Sequence, residues 1–234
     1  EEVVLVFVHD LHYDVSWKYV GKTRSNQGTK EERLAYFAEY VSKAHSLGMK
    51  VVMDCVYHGT AINSPLVTEH PDWYKYDAEG NIVKNNFGLP QFDTSKTEVQ
   101  DYIINVTKFW VDNAGIDGCR IDMAHSVPLP LWAKLNNEMK KIKPSWIMIG
   151  EAFGKQVDYA LPNKESEQQG VYGFDGVYDF YLESVLRGVV GKTRKASEII
   201  DAWNARPSEH KENYYNMIDD QNAVERSATF AGGN

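Results

Sequence analysis

The sequence predicts an α/β fold, with βα units built around a parallel sheet. Short β-branched or apolar runs alternate with longer segments of helical periodicity. The first of these runs, Val3 to Val8, is apolar throughout, as expected of a strand covered on both faces. Polar residues gather where the runs end, at Asp54, Arg120, Asp122, Glu151 and Asp219-Asp220.

Val3 to Val8 is the first buried strand, followed by a polar loop through Gly28. From Lys30 to Leu47, apolar residues Leu34, Phe37, Val41 and Ala44 fall with His45 on one helical stripe, and Gly48 closes the helix. Met49 to Tyr57 is the second strand. Residues 58 to 95 are polar and interrupted by Pro65, Pro71, Gly80, Gly88 and Pro90; so long a segment inside a compact domain is expected to serve a site. Glu98 to Asn113 is a helix whose stripe is Val99, Tyr102, Ile103, Val106, Phe109 and Trp110. A strand over Ile116 to Asp122, a helix over Leu129 to Ile142 and a strand over Trp146 to Glu151 follow. Gly173 to Tyr181 reads as a strand, Ala196 to Ala205 as a helix and Asn213 to Ile218 as a strand. These make six strands, two fewer than a closed βα barrel needs.

Composition narrows the function. A chain of 234 residues that is 43% hydrophobic can bury a large core. Its net charge of −8 argues against nucleic acid as a partner. No apolar run approaches the ~18 residues of a membrane span. Two cysteines are too few for a disulfide scaffold or a cysteine-only zinc site, and Cys55 and Cys119 are expected as buried free thiols facing the helices. His9, His12, His45, His70 and His210 lack metal-ligand spacing, and there is no phosphate loop, Gly-x-Ser-x-Gly elbow or His-Glu-x-x-His. No secretory signal is visible, Ala231 to Asn234 reads as the start of a loop, and localisation is not set by the sequence. The abundant aromatic residues suit a core, and some suit stacking on neutral sugars.

Gly118-Cys119-Arg120-Ile121-Asp122 carries the sharpest chemical signal. Arg120 and Asp122 are two apart on a strand and so share a face. An arginine beside a carboxylate keeps it ionised and fixes its rotamer, which suits a nucleophile and equally suits a structural ion pair. Glu151 ends the next strand beside Ala152-Phe153. An apolar surround there would keep it protonated as a general acid. Two carboxyls in opposed environments, roughly 5–5.5 Å apart, are what retaining glycoside hydrolysis requires.

In order and spacing these residues resemble the α-amylase family of glycoside hydrolases, glycoside hydrolase family 13. The segment from Gly48 to His58 resembles its first conserved region, Gly118 to His125 its second, and Ile149-Gly150-Glu151-Ala152 its third. Asp122-Met123-Ala124-His125-Ser126-Val127-Pro128 is similar to maltosyltransferase-like members. The resemblance implies a (β/α)8 TIM barrel whose first and last strands are not visible here. It implies a small domain B at residues 58–95, between barrel parts 1–57 and 96–234. Asp122 becomes the implied nucleophile and Glu151 the implied acid/base. Tyr13 and Asp14, in Leu11-His12-Tyr13-Asp14, fall where the family stacks a ring on the sugar at the cleavage point. Asp54, His58, Arg120 and His125 join them as implied substrate-binding residues, and Trp73, Tyr74 and Phe92 either line the groove or pack within the insertion. The implied substrates are starch, glycogen or maltooligosaccharides, cleaved or transferred at α-1,4 bonds.

Two departures qualify that implication. The first region normally ends in Asn-His, the Asn helping to bind calcium. Here Tyr57-His58-Gly59 offers only the histidine, so a structural calcium is not supported. The fourth region normally reads Asn-His-Asp, whereas Ile218-Asp219-Asp220-Gln221-Asn222 places either Asp220 or Asn222 as the third catalytic group. An amide there would supply no negative charge to an oxocarbenium-like transition state. Two alternatives follow: an impaired barrel that binds sugar or a protein partner, or a barrel completed by further segments.

Overall fold

The structure, a computed structural model, describes residues 26–153 and 173–206 in full and residues 3–7 and 214–215 by their backbone. Within these residues six strands form one sheet in the order β1-β2-β3-β4-β5-β6, every pair parallel. The strands are β1 (Val3–Phe7), β2 (Lys50–Cys55), β3 (Gly118–Ile121), β4 (Ile147–Gly150), β5 (Gly176–Tyr178) and β6 (Tyr214–Tyr215). Spatial order follows chain order and never reverses. That is the winding of a βα barrel and not of a doubly wound open sheet, whose order turns back at a switch point.

The helices are α1 (Lys30–Ser46), the short α2 (Leu66–Glu69), α3 (Thr97–Ala114), α4 (Leu129–Ile142), α5 (Phe180–Val190) and α6 (Ser197–Asn204). Each has a local cause. Thr29 and Glu32 form a reciprocal capping box at the start of α1. α3 buries Val99, Ile103, Val106 and Trp110, and stops at Gly115 with φ +75°. Asp179 caps α5 by accepting the Leu182 N–H at 2.8 Å. The sequence reading placed Gly173 to Tyr181 in a strand; only Gly176–Tyr178 is one, and α5 begins immediately after it.

The core lies between the outer faces of β2–β4 and helices α1, α3 and α4. Trp110, Trp132 and Trp146 are its largest members. Cys55 and Cys119 are free and buried in it. Helices α5 and α6 pack around a separate small cluster of Leu182, Val185 and Ala202.

Residues 58–95 carry the 3-10 turn Pro71–Trp73 and antiparallel bridges Gly59↔Gln91, Tyr74↔Phe92, Tyr76↔Ile82 and Lys84↔Pro90. Gly59 is required at the base of this segment, since a Cβ there would collide with the Pro90 carbonyl. Tyr74 and Phe92 are buried with ring centroids 5.2 Å apart, and the Tyr74 hydroxyl meets Thr60 Oγ1 at 2.8 Å. Trp73 stacks on His70 at 4.0 Å and leans on Tyr102 of α3. All three rings pack within the segment or against α3.

Candidate active site

Arg120 is the centre of the site. Strand register pairs it with Asp54 across β2 and β3. Its Nη1 lies 2.7 Å from Asp54 Oδ1 and 2.6 Å from Asp122 Oδ1. Its Nη2 lies 2.7 Å from Glu151 Oε1, a charge contact without the alignment of a hydrogen bond. Burial alone would weaken the charge on Arg120. The carboxylates of Asp54, Glu151 and Asp122 reverse that and push its pKa above the ordinary arginine value.

The backbone fixes both outer carboxylates. Just beyond β3, the Asp122 N–H donates to the Cys55 carbonyl at 3.0 Å. Just beyond β4, the Glu151 N–H donates to the Ile121 carbonyl at 3.0 Å. Both side chains reach the same guanidinium. With its two Nη atoms separated by two C–N bonds of ~1.33 Å, the nearest Asp122 and Glu151 oxygens lie within about 8 Å of each other.

Asp122 is the member of this cluster that meets solvent: its side chain is 22% exposed, against 1% for Arg120, 2% for Asp54 and 3% for Glu151. Its Oδ2 lies 3.4 Å from Nε2 of His58, which is buried. Burial would raise the Asp122 pKa. The His58 ring and the Arg120 guanidinium overcome this and hold it at about 2, so the group is an anion across the working pH range.

Glu151 departs from the sequence expectation of an apolar surround. It is buried, yet Oε1 touches Arg120 and Oε2 accepts the Met123 N–H at 3.0 Å. Met123 aims that N–H from a left-handed backbone, φ +45° and ψ +43°, uncommon for a residue with a side chain. Tyr178 of β5 faces the same cluster, its ring centroid 5.7 Å from Arg120 Cζ. His125 approaches the Glu151 carbonyl at 3.4 Å and meets Phe153 edge to face. Phe153, which is 41% exposed, stacks on Phe180 with centroids 3.7 Å apart.

Of the residues singled out from sequence, Asp54, His58, Arg120, Asp122, His125 and Glu151 therefore come together. Asp54 is buried against Arg120, level with it on the neighbouring strand. Tyr13, Asp14, Asp220 and Asn222 lie outside the described residues. Sequence reasoning missed Met123, whose backbone leaves no sequence signal, and Tyr178. For Tyr178 a signal existed: it ends the strand-like Gly176-Val177-Tyr178, in the rim position that Asp122 and Glu151 hold on their strands. The calcium donors implied by the resemblance do not fit this site. The family's Asn is missing before His58, by deletion or substitution; Tyr57, the residue that precedes it, is buried with Thr107 Oγ1 3.0 Å from its hydroxyl and offers a neutral phenol, not an amide oxygen.

Fold and site together define a βα barrel with a carboxylate cluster at the C-terminal rim of its strands, where barrel enzymes build their sites. A family model described as "Alpha amylase, catalytic domain" matches residues 72–232. Neopullulanase 2 of Thermoactinomyces vulgaris is 24% identical over 225 residues, covering 86% of this chain and 37% of that protein. Maltogenic alpha-amylase of Bacillus acidopullulyticus is 28% identical over 175 residues, 67% of this chain and 28% of the relative. Among solved structures, a maltogenic alpha-amylase from Thermotoga neapolitana superposes with TM-score 0.73 and 25% identity, covering 98% of this chain and 53% of that one. A cyclic alpha-maltosyl-(1→6)-maltose hydrolase from Arthrobacter globiformis gives TM-score 0.77 at 17% identity, over 100% of this chain and 56% of that one. The chain belongs to the α-amylase family, glycoside hydrolase family 13, and has the family's (β/α)8 barrel fold, of which the described residues supply six strands. It spans 28–37% of the length of these curated relatives and 53–56% of that of the solved ones.

Proposed function

We propose that the protein is a retaining α-glucan hydrolase or glucanotransferase acting on α-1,4 bonds of starch, glycogen or maltooligosaccharides. The observation that carries this reading is the single guanidinium shared by Asp122 and Glu151. Asp122, ionised and the most exposed of the group, attacks the anomeric carbon. Glu151 protonates the departing glycosidic oxygen, and then takes a proton from water or from an acceptor sugar as the glycosyl-enzyme is resolved. To act first as an acid Glu151 must carry a proton. The negative charge of Asp54 and Asp122 favours that proton, while Arg120 and the Met123 N–H oppose it.

Around this pair, His58 and His125 contact the sugar, Asp54 fixes Arg120 from the neighbouring strand, and Tyr13 and Asp14 flank the cleavage point. Asp220 or Asn222 fills the third position. Residues 58–95 act as a small domain B that walls the cleft, between barrel parts 1–57 and 96–234. The exposed face of Phe153, backed by Phe180, offers a platform for an apolar sugar face. The names of the relatives, a maltogenic amylase and a neopullulanase, support the substrate class.

The test is the anomer first released from maltoheptaose by the full-length protein, followed by proton NMR. Retention predicts the α-anomer, with Asp122→Asn and Glu151→Gln each lowering kcat by about 10³-fold or more. Release of the β-anomer, or a Glu151→Gln variant of undiminished rate, would overturn the assignment.

A further inference from the structure

The carboxylate partners of Arg120, which are Asp54, Asp122 and Glu151, engage the Nη edge of its guanidinium. Contacts at those atoms set where the edge of the group lies, but they resist rolling about the line joining the carboxylates only weakly. The side chain is nonetheless 1% exposed, so protein covers its faces.

Part of that cover comes from β5. Gly176 pairs with Ile149, which in turn pairs with Arg120. Tyr178 is two residues further along the strand and therefore points to the same side, one level nearer the rim. Its ring centroid lies 5.7 Å from Arg120 Cζ, inside the ~6 Å reach of a cation–π contact. The ring is itself held, edge to face with Phe180 at 6.1 Å, and its backbone pairs with Tyr215 of β6. Burial raises the phenol pKa, with the Arg120 charge and the approach of its side chain to the hydroxyl opposing, and Asp54 and Glu151 adding to the rise. The side chain thus stays neutral at working pH and meets the cation as a phenol, with its ring 5.7 Å from Arg120 Cζ.

We propose that Tyr178 is a positioning residue: its ring lies against the Arg120 guanidinium and prevents it from rolling out of the plane in which it bridges Asp122 and Glu151. The role rests on the assignment of those two carboxylates made above. It is a role of the aromatic ring, distinct from the hydroxyl's own approach to Arg120, which a phenylalanine at this position removes. Among the described residues, the charged and titratable groups facing Arg120 are Asp54 from β2, Asp122 after β3, Glu151 after β4 and Tyr178 from β5, with His58 on the far side of Asp122.

Two variants of the full-length protein separate ring from hydroxyl: Tyr178→Phe and Tyr178→Leu. The first readout needs no turnover. ¹⁵N NMR of the Arg120 side-chain N–H groups reports rotation of the guanidinium at neutral pH. Slow rotation is expected in the wild type and in Tyr178→Phe, and averaged signals in Tyr178→Leu. The second readout is turnover of maltoheptaose. Tyr178→Leu is expected to lose roughly thirtyfold in kcat, with KM changed less than about threefold, while Tyr178→Phe stays within about threefold of the wild type. Arg120 signals unchanged in Tyr178→Leu would overturn the proposal, as would a Tyr178→Phe variant as impaired as Tyr178→Leu. Tyr178→Met supplies the same comparison if the leucine variant does not fold. A wild type without turnover would sink the carboxylate assignment, yet the NMR comparison would still decide whether the ring restrains Arg120.

Discussion

Arg120 holds three carboxylates of which Asp54 and Glu151 are themselves buried. Removing its charge leaves those two uncompensated in a low-dielectric site. Arg120→Met is therefore expected to lower stability by about 3–5 kcal/mol, read from urea unfolding at pH 7. Arg120→Lys restores the charge but not the planar fork that reaches two carboxylates at once, so it should fold better than Arg120→Met and remain nearly inactive. A methionine variant as stable as the wild type would contradict this view of the cluster. Acid titration probes the same residue group. The folded pKa of Asp122, about 2, lies below its ordinary 3.8. Its contribution to stability is thus complete above roughly pH 4 and is lost as pH falls towards 2. Allowing for screening of its exposed side, the loss is about 1–2 kcal/mol. Urea midpoints followed from pH 5 to pH 2.5 should fall more steeply for the wild type than for Asp122→Asn; parallel curves would show that the anion is not held as described.

At the scale of elements, one device recurs at the N-terminal ends of alternate strands. Before β3, the Asp117 N–H donates to the Val51 carbonyl, the Val51 N–H donates back to Asp117 Oδ2, and Lys143 Nζ lies 2.6 Å from Oδ1. Before β5, Asp175 does the same with Met148 and Lys140, the lysine again at 2.6 Å. Each aspartate thereby sets the register of its strand on the strand before it, and the lysines tie the pairs to the C-terminal end of α4, Lys140 from its last turn and Lys143 from its cap. His45, which the sequence reading assigned to packing on α1, instead joins the first clasp at 2.7 Å from Asp117 Oδ2. Burial would raise the Asp117 pKa, but Lys143, the Val51 N–H and His45 together bring it below the usual range. Asp175→Ala is expected to cost about 1–3 kcal/mol, and Lys140→Met should cost much less in that background than alone. Full additivity in this double-mutant cycle would show that the clasp is not a unit.

Over the whole molecule, periodicity marked the parts that bury a continuous stripe. Helices α1, α3 and α4 and strands β2–β4 fall within one or two residues of their expected ends, because Gly48, Gly115 and the apolar runs punctuate them. The miss at α5 came from reading Gly173 to Tyr181 as one extended run, although Asp179 followed by Leu182, Val185, Leu186 and Val189 is a capped helical stripe. The site was legible as a set of residues and not as a set of contacts. That Asp54 lies beside Arg120 depends on the register of β2 on β3, and that Glu151 faces Arg120 and the Met123 N–H depends on a left-handed backbone. No local pattern encodes either. Stability should follow the same division: β2–β4 carry the main core, whereas α5 and α6 rest on a small cluster of their own. Hydrogen exchange is expected to be at least about tenfold faster in α5 and α6 than in the central strands, and uniform protection would contradict a separate packing unit.

The assignment of Asp122 as nucleophile is tested most directly by trapping. The full-length protein would be incubated with 5-fluoro-α-D-glucosyl fluoride, digested at low pH and read by peptide mass spectrometry. A covalent 5-fluoroglucosyl adduct on Asp122, absent from Asp122→Asn, is the predicted result. Turnover of the reagent with the adduct on a different carboxylate would contradict it.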